Sequence, residues 1–257
     1  MQTNTSASPA AGPAAQVPGT DPEALTVGAR VGRIIGVLVS PVKTFHSIAG
    51  KPSWLAPLVL WILAAGVTSA IVTPKMDFQA MMRQRMAQRG VVMSDQQMQQ
   101  AVAIQQRFRW IGEVAAVVMP VIIAGLVSLL FFAAFAAAGQ KSMSYGQSFA
   151  VTTHAFVPQS LAGFATAIVA AGMTTINPMA LGDLLCSSPA CFASGTLAPA
   201  THAVLQALDI YVIWTLVLMT IGYAAAARVS RTLTGSVVVV VWVLYVIGKV
   251  ALSGFFG

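Results

Sequence analysis

Long apolar stretches alternate with shorter polar ones from residue 54 to the end of the chain. An α-helix rises 1.5 Å per residue, so about 20 apolar residues cross the hydrocarbon core of a bilayer. Backbone amides that face lipid must be hydrogen-bonded within the protein, and a helix satisfies them inside a single stretch. The pattern therefore predicts an all-α membrane bundle of five transmembrane helices, over residues 54–73, 111–138, 149–173, 203–227 and 236–256.

The first 27 residues differ from the rest of the chain. They are rich in Ala, Pro, Thr, Ser and Gly and contain no Lys or Arg. Such a stretch buries too little apolar surface to offset the entropy of ordering, so it is expected to be a disordered tail. It also lacks the basic and apolar regions of a signal peptide, and the first span is expected to direct insertion. Residues 28–257 then form the five-span membrane domain.

Residues 28–52 mix apolar and basic positions, and Pro41 divides them into two parts. Their apolar runs are too short to span a bilayer. The pattern is typical of one or two amphipathic helices that lie in the membrane interface, with basic side chains that reach lipid phosphates. The alternative is that these helices pack on the bundle. The expected lipid contacts are Arg30, Arg33, Lys43 and Lys51.

Polar residues concentrate in two further regions. Residues 74–110 connect the first two spans and predict two helices, the first ended by Gly90 and the second capped by Ser94. The third span is the least apolar, and polar groups inside hydrocarbon must be satisfied by protein or water. This span is therefore expected to be central in the bundle or to line a cavity, with His154 and Gln159 as packing residues or members of a relay.

Composition and charge support the membrane assignment. The chain has 257 residues, of which 57% are hydrophobic and 8% charged, whereas a soluble domain carries about 25% charged residues. The formal net charge is +7, and the basic residues lie beside apolar stretches, which favours contact with anionic lipid headgroups. No basic stripe is interleaved with stacking aromatics, so nucleic acid is not expected as a partner. Small residues along the spans permit close helix approach within the bundle or between protomers, as a homo- or hetero-oligomer.

Three ionisable residues fall within or at the ends of the predicted spans, all toward the same membrane side: Glu113, Asp209 and Lys249. An ion pair between Asp209 and Lys249 on adjacent antiparallel helices would remove two unpaired charges from lipid, and Glu113 could join them. Such a cluster would serve as a proton or ion relay. The alternative is a structural pair, or side chains that reach the headgroups from the span ends.

The connection over residues 174–202 contains no Lys or Arg and holds both cysteines, Cys186 and Cys191. In an oxidising compartment the pair would close a small disulfide loop, and otherwise both stay free thiols. Two cysteines do not complete a tetrahedral metal site, and no cofactor is expected. Lys and Arg number seven on the side of the amino terminus and six on the other. The cysteine loop favours an external position for its side, with the amino terminus in the cytoplasm.

Short motifs resemble the bacterial branch of the Yip family. Residues 40–48 read S-P-V-K-T-F-H-S-I and precede K-P-S-W at 51–54. A S-Y-G-Q-S-F segment follows at 144–149, with Pro158 nine residues later. The resemblance implies a five-span helical domain in a bacterial inner membrane with a cytoplasmic amino terminus. Eukaryotic relatives interact with Rab-type GTPases, but the D-L-Y-G-P signature of that branch is missing here, and no catalytic residues are implied.

Two functions are consistent with these observations. No H-E-x-x-H, G-x-S-x-G or phosphate-binding glycine loop occurs, so an enzyme is not expected. The first hypothesis is a non-enzymatic protein that organises the membrane or binds partners. The second is a small transporter or channel that uses the polar groups of the third to fifth spans.

Overall fold

The computed structural model describes residues 26–88, 90, 94–140, 143–193 and 197–256, with the side chains of 88 and 252–256 outside that description. Nearly all of the predicted tail over residues 1–27 therefore lies outside the described residues, and so does Lys141 in the connection before the third span.

Helices make up most of the described chain, and their order is as follows. They are α1 Val27–Val39, α2 Pro41–Gly50, α3 Leu55–Val72, α4 Phe78–Gln88, α5 Asp95–Arg107, α6 Arg109–Ala137, α7 Tyr145–Ala155, α8 Val157–Ala171, α9 Pro199–Ala207, α10 Ile210–Ala227 and α11 Arg231–Phe256. Short 3-10 helices lie at Thr73–Lys75, Pro178–Asp183 and Pro189–Phe192.

Among the described residues, five helical segments are long and apolar enough to cross a membrane, as predicted. They are Leu55–Lys75, Arg109–Ala137, Tyr145–Ala171, Ile210–Ala227 and Arg231–Ala251. The third consists of α7 and α8, which join at Phe156, two residues before Pro158. A proline cannot donate a backbone hydrogen bond and clashes with the preceding turn, which accounts for the interruption.

The last two spans begin elsewhere than predicted. The fourth was expected to start at residue 203, but α9 ends at Ala207 and α10 begins at Ile210. Asp209 separates them because its carboxylate caps the first backbone amides of α10. The fifth helix begins at Arg231, five residues before its predicted start. The helix therefore includes a polar first turn that precedes the apolar stretch.

Five antiparallel crossings divide the molecule into two sides. The side that carries α1, α2, the connection from α6 to α7 and the turn from α10 to α11 is here called the amino-terminal side. The opposite side, here called the far side, carries residues 73–108 and 172–209. On the far side the predicted helical pair is present as α4 and α5, and Ser94 caps α5 in a capping box, as expected from the sequence.

The main core lies in the amino-terminal half of the bundle. Apolar side chains of α1, α2, α6, α7, α8, α10 and α11 meet there, around the fully buried Tyr223, Phe45 and Phe131. Helix α2 approaches α10 closely because Gly222 has no side chain. A Cβ at that position would lie 2.7 Å from Val151 and 2.8 Å from the Phe45 ring. A second, smaller cluster on the far side consists of Val72, Ala170 and Ile176.

Candidate functional site

Arg33 connects the amino-terminal helices to the start of the first span. Its Nη1 donates to the Lys51 carbonyl at 2.7 Å and to the Ser53 hydroxyl at 2.7 Å. Its Nη2 donates to the Ser47 hydroxyl at 2.9 Å and to the Ser47 carbonyl at 3.2 Å. One guanidinium thus binds the end of α2 and the segment that leads into α3.

The expectation that Arg33 contacts lipid phosphates is wrong. Its side chain is buried, with only 8% of the residue exposed, and its terminal nitrogens already donate to protein oxygens. Burial lowers the pKa of Arg33, but an arginine starts so far above neutral pH that it stays charged. The guanidinium satisfies backbone carbonyls at a helix end, where such acceptors otherwise lack partners.

The other basic residues of this segment are more accessible. Lys43 and Lys51 are exposed, and Arg30 is half-buried. Contact between these three side chains and lipid stays a prediction. Residues 28–52 were expected either to lie in the membrane interface or to pack on the bundle. Each expectation applies to one face, because α1 and α2 each pack one face on the bundle and expose another.

A chain of hydrogen bonds crosses the core from α6 through α7 to α10. The Tyr223 hydroxyl lies 2.7 Å from Thr152 Oγ1 and 3.0 Å from Ser148 Oγ. Ser148 in turn donates to the Ser128 carbonyl at 2.6 Å, and the Ser128 hydroxyl donates to Gly125. The Tyr145 hydroxyl completes the chain, 3.1 Å from Ser128 Oγ. The polar groups of this part of the third span thus satisfy one another.

His154 and Gln159 lie in the third span but not together. His154 is fully buried, with Nδ1 2.8 Å from the Ala150 carbonyl one helical turn earlier, and its Nε2 has no hydrogen-bond partner among the described residues. Gln159 Nε2 donates to Thr215 of α10 at 3.4 Å. Neither contact extends to a second titratable group, so the described structure joins neither residue to a relay.

The three ionisable residues predicted to cluster make no ion pair with one another. Glu113 pairs with Arg109 of its own helix at 3.1 Å, and both side chains are about half exposed. Asp209 accepts from the amides of Tyr211 and Val212 and from the Ser187 hydroxyl. The ion pair of Asp209 with Lys249 is therefore a wrong prediction. The carboxylate is occupied by the N-cap of α10, which places it at the end of the span.

Lys249 belongs to a different polar group on the far side. Its Nζ donates to Gln206 Oε1 at 3.3 Å, and Gln206 Nε2 donates to Asp183 Oδ1 at 3.1 Å. The other Asp183 oxygen lies 2.8 Å from His202 Nε2. These contacts join α11, α9 and the 3-10 helix that ends at Asp183. Within the described chain, no group of three or more His, Cys, Asp or Glu side chains is placed to hold a metal ion.

The cysteine loop lies beside this group. Cys186 and Cys191 form a disulfide, with their Cα atoms 5.0 Å apart. Ser187 follows the first cysteine, and its carbonyl accepts from the amide of Ile210 at 3.0 Å. The disulfide loop is thereby fixed to the start of α10 by both the hydroxyl and the carbonyl of Ser187.

Sequence reasoning missed the residues that carry the buried polar network. Ser148 and Thr152 are four residues apart and therefore share a helix face, which was an available signal. Tyr223 lies in an apolar part of the fourth span, and only the tertiary structure brings its hydroxyl to Ser148 and Thr152. Asp183, His202 and Gln206 were also missed. His202 and Gln206 are four residues apart and share a face of α9, which was an available signal, whereas the separation of Asp183 from them follows no helical pattern.

Comparison with known proteins gives one family. No curated protein and no solved structure shows significant similarity to the chain. The profile of the Yip1 domain matches residues 35–252, which is most of the sequence and includes all five segments that could cross a membrane. This match confirms the resemblance seen in the short motifs. The chain belongs to the Yip1 domain family.

Proposed function

We propose that this is a non-enzymatic, membrane-organising protein of a bacterial inner membrane, with its amino-terminal side in the cytoplasm. In this proposal α1 lies in the headgroup layer of one leaflet and displaces lipid there, while the five spans hold it at a fixed depth. The lipids of the bilayer are the principal partner. Other copies of the chain, or other membrane proteins, would contact the exposed faces of the spans.

An exposed apolar stripe on α1 carries this proposal. Four residues spaced one helical turn apart are exposed by 77%, 48%, 59% and 73%, namely Val27, Val31, Ile35 and Val39. A helix outside the spans that presents such a stripe to water would be unfavourable. Apolar burial in the boundary between headgroups and acyl chains removes that cost and is typical of interfacial helices.

The opposite face of α1 is fixed to the bundle. Arg33 and Val37 are buried on it, and the Arg33 guanidinium holds the end of α2. Gly36 allows α1 and α2 to approach, since a Cβ there would lie 2.6 Å from Thr44 Oγ1. Because α1 cannot swing away without losing these contacts, its apolar stripe keeps one position relative to the spans. A wedge of constant depth in one leaflet changes local lipid packing.

The alternative of a transporter or channel has less support. A conduction path needs polar groups that are free to bind a solute, whereas Tyr223, Ser148 and Thr152 bind one another in the core. The residues proposed as a relay also have different partners: Glu113 binds within α6, Asp209 caps α10, and Lys249 contacts Gln206. Flux in proteoliposomes that an Asp209→Asn or Lys249→Met variant abolishes would favour transport.

The depth of α1 is the direct test. Single cysteines at Val31, Ile35 and Lys43, in a Cys186→Ser, Cys191→Ser background, are labelled with an environment-sensitive fluorophore in proteoliposomes. We expect blue-shifted emission at 31 and 35, quenched by shallow lipid-attached quenchers, and solvent-like emission at 43, because Lys43 is exposed away from the stripe. Water-like emission at all three positions would contradict the proposal.

A second measurement connects depth to membrane organisation. Ile35→Asp places a charge in the stripe without touching the contacts of Arg33. We expect the wild type to change the shape of vesicles, measured by electron microscopy at equal protein density. The variant should insert its five spans normally but leave the vesicles in the shape of protein-free ones. Gln84→Asp, which adds the same charge on the exposed surface of α4, is the matched control and should leave vesicle shape as in the wild type.

A further inference from the structure

Two adjoining cavities form a groove on the amino-terminal side, between α2 and the turn from α10 to α11. The larger has a volume of about 500 Å³ and is lined in part by His46, Gln147 and Arg228. The smaller, about 130 Å³, shares His46 with it and adds Arg231. The wall from α10 consists of Ala224, Ala225 and Ala226, whose short side chains leave the space open. This pair of cavities is here called the α2–α10 groove.

Among the described residues, the side of the molecule that carries the groove has basic side chains and no acidic ones. All described acidic residues are on the far side or in the turn of α6 next to it, namely Asp77, Asp95, Glu113, Asp183 and Asp209. The described basic residues of the amino-terminal side are Arg30, Arg33, Lys43, Lys51, Arg228 and Arg231. The side chains of Arg228, Arg231 and His46 make no hydrogen bond or ion pair to any described residue. Their donors are therefore available to an anion that enters the groove.

Arg228 has a backbone conformation that a glycine would adopt more easily. It ends α10 in the left-handed region, with φ 56° and ψ 42°, and its amide donates to the Ala224 carbonyl. A Cβ is unfavourable there, and helices that end in this way usually carry Gly. An arginine in such a position at the mouth of a cavity points to a role for its side chain, because the fold itself gains nothing from the Cβ.

We propose that the α2–α10 groove binds a phosphate group, held by Arg228 and Arg231 with His46 as a further donor. Guanidinium groups match the geometry of phosphate oxygens and donate two parallel hydrogen bonds to them. The phosphate belongs to an anionic phospholipid headgroup or to a soluble phosphate compound. Val42 and Ile221 line the smaller cavity and give the groove an apolar edge, which suits a ligand that continues into acyl chains.

This site is independent of the proposed insertion of α1, because α1 contributes no residue to the groove. The test uses the full-length protein in zwitterionic detergent micelles, with bound lipid counted by native mass spectrometry. Phosphatidylglycerol, phosphatidylcholine and inorganic phosphate are the probes. The key variant combines Arg228→Gly with Arg231→Gln, since Gly accepts the left-handed backbone of position 228 without strain. Arg107→Gln on α5 is the matched control on the far side.

We expect the double variant to bind phosphatidylglycerol about tenfold more weakly than the wild type while its melting temperature stays equal or rises, because arginine–phosphate bonds are lost but backbone strain is relieved. If inorganic phosphate does not compete, the ligand is a lipid headgroup. If inorganic phosphate displaces phosphatidylglycerol from the wild type but not from the double variant, the ligand is a soluble phosphate. The proposal is overturned if the wild type binds neither phosphatidylglycerol nor inorganic phosphate. It is also overturned if the double variant binds them as the wild type does, or if Arg107→Gln weakens binding as much as the double variant.

Discussion

The two halves of the bundle are held together in different ways. The amino-terminal half contains a core cluster of sixteen buried apolar residues drawn from seven helices and the connection before α7, whereas the cluster of the far half contains three. Hydrogen bonds between distant parts of the chain occur in both halves. In the amino-terminal half they join residues distant in sequence, such as Gln147 to Ala49 and Ser148 to Tyr223.

In the far half many polar contacts are local. Asp77 caps α4, Ser94 caps α5, and Arg109 pairs with Glu113 within one helix. Such contacts stabilise individual helices without fixing their positions relative to one another. The comparison teaches that the amino-terminal half determines the arrangement of the spans, and that the far half tolerates change. Four substitutions test this difference, in order of the expected loss of stability.

Arg33→Met should have the largest effect. The methionine keeps much of the apolar stem but removes the donors to Ser47, Lys51 and Ser53, and hydrogen bonds to a charged group contribute about 1.5–3 kcal/mol each at most sites. We expect the free energy of unfolding to fall by about 3 kcal/mol, measured by equilibrium unfolding in mixed micelles. The exposed Lys43→Met is the control, and an equal loss there would show that Arg33 is not special.

Gly222→Ala tests the close approach of α2 to α10. The added methyl group would lie 2.7 Å from Val151 and 2.8 Å from Phe45, so one of the helices must shift. Overpacking of this kind costs about 1–3 kcal/mol, and we expect a loss near 2 kcal/mol in the same unfolding measurement. Gly66→Ala has open space around its Cβ and should leave stability nearly unchanged. A stable Gly222→Ala protein would contradict the described packing.

Tyr223→Phe removes only the hydroxyl at the centre of the polar network. Ser148 and Thr152 would lose one partner each, and hydrogen bonds between membrane helices contribute about 0.6–1.7 kcal/mol. We expect unfolding to become easier by about 1 kcal/mol. Tyr245→Phe is matched in chemistry but is 63% exposed, and its stability should equal that of the wild type.

Lys75→Met should have the smallest effect, because it lies in the far half. Its Nζ donates to the carbonyls of Ala170 and Ala171 at 2.8 Å and so stabilises the end of α8. A cation at a helix carboxyl end contributes about 0.3–1 kcal/mol, and we expect a loss of about 0.5 kcal/mol. Arg83→Met on the exposed surface of α4 is the control. A loss as large as that of Arg33→Met would reverse the comparison of the two halves.

Sequence was sufficient for the spans because lipid imposes a length and a composition that few other structures share. It was insufficient for Arg33, since two of the four acceptors of its guanidinium are backbone carbonyls, which every residue has and no motif marks. The mixture of apolar and basic positions over residues 28–52 predicts the same lipid contact for Arg33, Lys43 and Lys51. Of these three, only Arg33 has its side chain on the buried face.

Asp209 shows the same limit for charges. A carboxylate near an apolar stretch can balance a lysine or cap a helix, and both satisfy it. The choice depends on where the helix begins, which hydropathy leaves uncertain when α9 and α10 are both apolar. Tyr223 was missed for a different reason, because its partners are on a helix more than seventy positions earlier. Residue spacing reveals contacts within a helix but not between helices.

The contact of Phe45 with Gly222 has a consequence for biogenesis. The amino-terminal helices leave the ribosome first, yet a principal surface that receives α2 belongs to the fourth span. At about 5–20 residues per second, that surface is synthesised roughly 10–35 s after Phe45. During this interval α2 lacks its final neighbour, so the earliest segment of the domain to be made is among the last to reach its native position.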